Sequence, residues 1–324
     1  MIPLSVLDLA PVPSGTTAAE AIRRTVELAR HAEKLGYVRY WFAEHHGLAA
    51  IASSSPEILI EHVASATATI RVGSGGIMLP NHAPLRIAEA FHTLEALHPN
   101  RIDLGIGRAP GTDPATSRAL RPFDAEQFPE QLMELVGLSS GSFAEGHPFH
   151  NVTVVPTGVP LPPIWLLGSS GASARLAGQA GMGYSFASHF SPTPAPPAMR
   201  AYRESFRPSP QFPKPHAILA VSVVCAETEE RAEYLAASGQ LSFVRVRRGE
   251  FAPLPSPEEA LAYEYTPEDR AIAEAWRQLV FIGTPHAVKR GIADLAAAAT
   301  ADEVMVMTMI HDHPSRLRSY ELLA

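Results

Sequence analysis

The chain holds one cysteine, Cys225, in 324 residues, which excludes an internal disulfide and any cluster of thiolate-bound metal. That scarcity fits a reducing cytoplasm, the expected location. Cys225 lies in the apolar run AVSVVCA, so a buried and inert thiol is expected rather than a nucleophile. Charge is also sparse and evenly mixed: 18% of residues are charged, the net charge is -7 and the pI is about 6.1. Nothing in that balance offers a surface for nucleic acid or for an anionic membrane. No apolar run approaches the ~18 residues needed to cross a bilayer. The opening segment MIPLSVLDLAPVPSG carries Asp8 and three prolines and no basic stretch, so neither a signal peptide nor a membrane span is expected.

What the chain has in excess is proline, 30 residues against an average near 5%, gathered in connections such as SPTPAPPAM and FAPLPSPEE. Between the connections, β-type runs alternate with helical patterns: PLSVLDL, VRYWFA, IRVGSGGIML, RIDLGIG, PIWLLG, GYSFAS, AILAVSVVCA and EVMVMTMI. Thr17 and Glu20 have capping-box spacing ahead of a helix, and Gly36 is placed to end it. Ser55-Pro56, Ala83-Pro84 and Thr284-Pro285 put proline where a first helical turn tolerates it. Val288, Ile292 and Leu295 then repeat at helical spacing before the last run. Eight strand-helix units with no break in composition predict one α/β domain over residues 1–324, a (β/α)8 TIM barrel. Residues 109–163 and 226–302, after strands 4 and 7, are longer than a unit requires and predict loop insertions.

In such a barrel the chemistry gathers at the carboxyl ends of the strands. There the sequence places Asp8, Glu44-His45-His46, Ser74-Gly75-Gly76, Gly107-Arg108, Gly168-Ser169-Ser170, Ser188-His189 and His311-Asp312-His313. GSSGASARLAGQ opens a helix with hydroxyls and small residues, which suits a phosphate as well as an ordinary helix cap. Arg108, at the next strand end, can grip a phosphate dianion or pair with a carboxylate. Paired glycines inside a strand mark a bulge or a place where a flat ligand meets bare backbone.

These segments together, EHH, SGGIMLPNHAPLRIAE, RIDLGIGRAPG, GSSGAS and FIGTPHAVKRGIADL…MVMTMIHDH, resemble the bacterial luciferase-like flavin-dependent monooxygenases, in particular the single-chain luciferase alpha-like oxidoreductases. The resemblance covers nearly the whole chain and is weakest over residues 112–160 and 226–270. It implies reduced FMN as co-substrate, dioxygen, a small organic substrate, oxidation through a peroxyflavin, a separate flavin reductase and a homodimer. It places Arg108, Ser169, Ser170 and Ser173 on the flavin phosphate. Ser74 and a cis Gly75-Gly76 bond fall against the ring, and His45 falls at the reactive edge with Glu44 beside it as an orienting or catalytic group. His46 is expected to make a local hydrogen bond instead.

Three alternatives remain at this stage. A deazaflavin coenzyme would convert the reaction to hydride transfer. A metal-dependent barrel hydrolase would use His311-x-His313 and Glu44-His45-His46, although adjacent histidines make poor facing ligands and no metal set is assigned. A non-catalytic flavin-binding protein would keep the binding residues without turnover. Residues 238–267 are expected to form a lid over the site.

Overall fold

A computed structural model describes residues 2–121 and 124–324. Its elements run β1 (Leu4–Asp8), α1 (Ala18–Lys34), β2 (Arg39–Phe42), α2 (Pro56–Ala66), β3 (Arg71–Ser74), β4 (Ile77–Met78), α3 (Pro84–Leu97), β5 (Ile102–Gly107), α4 (Pro114–Leu120), α5 (Phe128–Ser140) and β6 (Ile164–Gly168). They continue with α6 (Gly171–Gln179), β7 (Gly183–Ala187), α7 (Ala195–Ser205), β8 (Ala217–Cys225), α8 (Glu229–Arg247), α9 (Pro257–Ala262), α10 (Pro267–Arg277), β9 (Val280–Gly283), α11 (Pro285–Ala298), β10 (Glu303–Met307) and α12 (His313–Leu323).

The strands pair in parallel in the order β10-β1-β2-β3-β5-β6-β7-β8, and a β8–β10 pairing closes the ring, giving the eight-stranded barrel the alternation implied. Local chemistry sets the helix ends. The Thr17 hydroxyl accepts from the Glu20 backbone N–H at 3.1 Å, α1 stops at Gly36 with φ +84°, and Pro56, Pro84 and Pro285 each open a helix. Outward strand residues such as Tyr40, Phe42, Val72, Leu104 and Ile106 are fully buried against the helices.

The structure departs from expectation in three places. The run IRVGSGGIML is split at its glycines into β3 and β4. A further strand, β9, pairs with Ser222 to Cys225 at the top of β8, while β10 pairs with Ile218 to Ser222 below it. At nine residues β8 is long enough to serve both partners. Finally, much of the expected lid is helical: α8 holds Ser238 fully buried, and Leu254 is hydrogen-bonded to Val12 and Ser14 beside β1.

Inside the barrel, Trp41 and Trp165 meet edge to face with ring centroids 5.5 Å apart. Gly183 makes room for them, since a Cβ there would collide with the Trp165 ring. At the amino ends of the strands an ionic floor seals the barrel. Arg39 bonds Asp103 at 2.7 Å and Glu303 at 3.0 Å, and Arg71 bonds Asp103 at 2.6 Å. His216 reaches Glu303 at 3.1 Å and Arg39 lies 4.7 Å over the Trp165 ring. Both carboxylates are buried, and each is held by more than one donor, the condition under which buried charge is tolerated. Among the described residues, the polar groups at the carboxyl ends of the strands lie at the opposite end from this floor.

Candidate active site

β2 ends at Phe42, so the three residues that follow Ala43 are freed from strand alternation and diverge. His45 turns its Nδ1–H to the Gly111 carbonyl at 3.1 Å, and its backbone N–H goes to Ser53 O at 2.9 Å. Burial holds the His45 imidazole below its ordinary pKa, opposed by the Gly111 carbonyl and the Glu44 charge. The ring is then neutral, protonated on Nδ1, with the lone pair on Nε2. His46 turns the other way and donates from Nε2 to Glu44 Oε1 at 2.9 Å, the local bond expected of it.

Glu44 is a hub. Its side chain is 0% exposed and accepts from His46, from His82 Nε2 at 3.0 Å to both oxygens, from Asn81 Nδ2 at 3.2 Å and from the Met78 backbone N–H at 2.8 Å. Burial acts to raise its pKa, but the His46 and His82 bonds and the Met78 N–H outweigh it and bring it down to about 2. Asn81 also donates to the Pro110 carbonyl at 3.0 Å. One carboxylate thus ties the strand bearing His45 to the turn after β4 and, through Asn81, to the loop bearing Arg108. Its two oxygens are engaged by these donors, an arrangement suited to holding its neighbours in position.

The Gly75-Gly76 peptide is cis, as the resemblance implied. A Cβ on Gly76 would stand 2.7 Å from the Gly105 carbonyl oxygen and collide with Leu167, so only bare backbone fits between β3 and its neighbours. Ser74 is fully buried and its hydroxyl donates to Gly105 O at 2.8 Å, next to the glycine pair.

β5 and β6 are adjacent, with Ile106 opposite Leu166, so Arg108 and the Gly168-Ser169-Ser170 turn stand side by side. Arg108 is exposed and forms no ion pair or side-chain hydrogen bond among the described residues. α6 begins at Gly171, and Ser170, its N-cap, makes no side-chain capping bond. The Ser173 hydroxyl donates to Ser170 O at 3.0 Å, and Tyr184 Oη donates to the same carbonyl at 3.2 Å. The backbone N–H groups of a nine-residue helix, an N-cap hydroxyl without a capping bond and the Arg108 guanidinium thus belong to adjacent segments at the rim, and together they offer the kind of donor set a phosphate requires. These residues fit the phosphate end of a flavin nucleotide, and the bare Gly75-Gly76 backbone fits a flat ring.

His311 and His313 are not brought together with the EHH segment. His311 Nε2 lies 3.1 Å from both the Ser14 hydroxyl and carbonyl oxygens, while His313 pairs with Glu27 of α1 at 3.1 Å. Among the described residues no group of three His, Cys, Asp or Glu side chains is placed to hold a metal ion. Sequence reasoning missed Asn81 and His82, for which the polar pair directly before Ala83-Pro84 was the available signal. A cleft of about 760 Å³ between α8 and α10 shares no residue with this site.

The family model for luciferase-like monooxygenases matches residues 2–303. A luciferase-like monooxygenase of Escherichia coli (strain K12) is 43% identical over 324 residues, covering 99% of this chain and 96% of its own. An N-acetyl-S-alkylcysteine monooxygenase of Bacillus subtilis is 33% identical over 329 residues, covering 100% and 98%. Among solved structures, apo-MsnO8 superposes with a TM-score of 0.90 at 38% identity, covering 100% of this chain and 97% of that one. The fold extends to two more distant proteins. The oxygenating constituent of 3,6-diketocamphane monooxygenase from Pseudomonas putida, in complex with FMN, has TM-score 0.71, 18% identity and coverage of 100% and 96%. An F420-dependent secondary alcohol dehydrogenase has TM-score 0.74, 14% identity and coverage of 100% and 98%. The chain belongs to the luciferase-like monooxygenase family.

Proposed function

We propose that the protein is a flavin-dependent monooxygenase that uses reduced FMN and dioxygen to oxidise a small organic substrate, an oxidoreductase of the paired-donor class that incorporates molecular oxygen. The observation that carries this reading is the pairing of an unpartnered Arg108 with the open N-terminus of α6, beside a bare glycine platform. The FMN complex of the structurally similar diketocamphane enzyme supports the choice of cofactor. Bound reduced flavin supplies the activation of dioxygen; that chemistry belongs to the cofactor.

The chain's residues bind, orient and handle protons. Arg108, Ser169, Ser170 and Ser173 take the phosphate. Gly75 and Gly76 present backbone without side chains to the ring. His45 Nε2, carrying a lone pair fixed by the Nδ1–H bond to Gly111, takes up or returns a proton at the reacting edge. Glu44 holds those parts in register. A separate reductase delivers the reduced flavin, and the active form is a homodimer.

The test is an anaerobic titration with reduced FMN, reduced deazaflavin coenzyme and zinc in parallel, followed by admission of oxygen with an organic acceptor. Tight binding of reduced FMN and oxygen transfer are expected. Preference for deazaflavin would redirect the reaction to hydride transfer, and zinc binding with no response to either flavin would sink the reading. Binding of flavin without turnover on any acceptor would leave a carrier rather than an enzyme.

A further inference from the structure

His189 follows β7 by two residues, and β7 stands four strands from β2 in either direction around the ring, by way of β3, β5 and β6 or of β1, β10 and β8. The loops carrying His45 and His189 therefore face one another across the mouth. The His189 loop is held firmly: its own backbone N–H donates to Ala220 O at 3.1 Å, and its ring meets Phe190 edge to face at 4.9 Å. Two residues on, the Ser191 hydroxyl donates to Ser169 O at 3.3 Å, coupling this loop to the serine turn.

The ring itself is unused. Nδ1 is sealed from solvent without a hydrogen-bond partner. The other nitrogen makes no hydrogen bond among the described residues either, and it is not sealed. An unsatisfied buried group of this kind calls for an explanation. Burial pushes the imidazole down to about 4; the Ala220 carbonyl acts against this, and the neighbouring His45 adds to it. The ring is neutral at pH 7, and the Ala220 carbonyl, near the ring though outside hydrogen-bonding geometry, favours the proton on the sealed nitrogen Nδ1. Nε2 then offers a lone pair on the unsealed side.

The barrel interior beside Ala220, to which the His189 backbone is bonded, is largely apolar. Ala220 pairs with Met305, and Ser222 with Met307, and Leu7, Ala43 and Leu167 belong to the same interior cluster as Ala220 and the two methionines. Resting on the reading of the mouth as a flavin-dependent oxygenation site, we propose that His189 is a specificity-determining residue whose Nε2 accepts a hydrogen bond from an uncharged organic substrate bearing a hydroxyl or amide N–H. Such a wall and a neutral ring give no counter-charge to a carboxylate, while the exposed cations Arg108 and Arg175 stand on the phosphate side, at the start of α6.

The test uses FMN-saturated protein labelled with ¹⁵N-histidine and three probes of matched body: cyclohexanol, cyclohexanone and cyclohexanecarboxylate. Cyclohexanol is expected to bind best and to move the His189 Nε2 resonance. His189→Leu is expected to weaken cyclohexanol roughly three- to tenfold while leaving cyclohexanone and FMN within twofold. His189→Gln, which keeps a polar tip, should restore part of the loss, and it serves as the working variant if leucine prevents folding. Equal weakening of all three probes, tightest binding of the carboxylate, no binding of any probe by the unaltered protein, or a tenfold loss of FMN in either variant overturns the proposal. Failure of the unaltered protein to take up FMN would instead remove the flavin reading, so the two outcomes are separable.

Discussion

At Arg108 an exposed guanidinium stands beside a helix start, and the proposed phosphate role makes a quantitative demand on it. Charge-assisted hydrogen bonds contribute roughly 1.5–3 kcal/mol, so Arg108→Ala is expected to weaken FMN about ten- to hundredfold while barely affecting riboflavin, which lacks the phosphate. Parallel titrations check this, and equal losses for both ligands would place the side chain elsewhere. His45 makes a different demand. Its Nδ1–H is held by Gly111 O, and only Nε2 remains for proton transfer. His45→Gln is expected to lower the turnover rate by about two orders of magnitude, the usual scale for a lost general acid or base, with FMN affinity nearly unchanged. A variant that loses FMN and rate in equal measure would reduce His45 to a binding contact. Both side chains could be singled out in the sequence because each sits next to a strand end. Ser74 shows the limit of that logic, since the chain neighbourhood that marks the rim does not tell whether a hydroxyl faces the mouth or a neighbouring carbonyl.

Among the elements, the turn after β4 and the start of α3 are fastened to β2 by Glu44, and that fastening depends on pH through two groups of opposite sign. The Glu44 pKa is depressed, so its contribution is present above its unfolded value of about 4.3 and is lost as pH falls through about 2. The His82 pKa is raised: burial lowers it, but the Glu44 hydrogen bond and charge prevail, with Glu57 assisting and Arg121 opposing. Its contribution is complete below about 6.5 and is lost as pH rises through the raised value. The rim should therefore be most secure between roughly pH 4.5 and 6.5 and loosen toward alkaline pH. Urea unfolding of the protein and of His82→Gln from pH 5 to 9 checks the sign. The stability gap between them should narrow as pH rises; a gap that widens contradicts the assignment. Helix caps at Thr17 and Pro56 were legible because they are made within one turn of chain. The Glu44–His82 bond joins residues 38 apart, and β9 exists because β8 is long enough to accept a second neighbour. Neither fact is written in the local pattern of the segments concerned.

At the level of the whole barrel, interior packing and the ionic floor set what the molecule tolerates. Gly183→Ala would drive a methyl group into the Trp165 ring, and overpacking of this kind typically costs ~1–3 kcal/mol. The midpoint of urea unfolding should fall accordingly, with the slope unchanged; an unaltered midpoint would mean that Trp165 moves freely. Eight units in one uninterrupted composition were enough to indicate a closed barrel, because alternation and length are global properties of a sequence. The floor was not foreseen, since Arg39, Arg71, Asp103 and Glu303 come from four different strands and meet only after closure.

That floor also governs traffic. With Arg39, Asp103, Arg71 and Glu303 sealing the amino ends, the vessel has a single door, and whatever enters at the carboxyl ends must leave there. On the proposed reading, two guests share that door: the flavin, gripped at the exposed rim between Arg108 and α6, and the organic substrate. Entry and exit of both then compete for one opening, so a large excess of either guest slows exchange of the other.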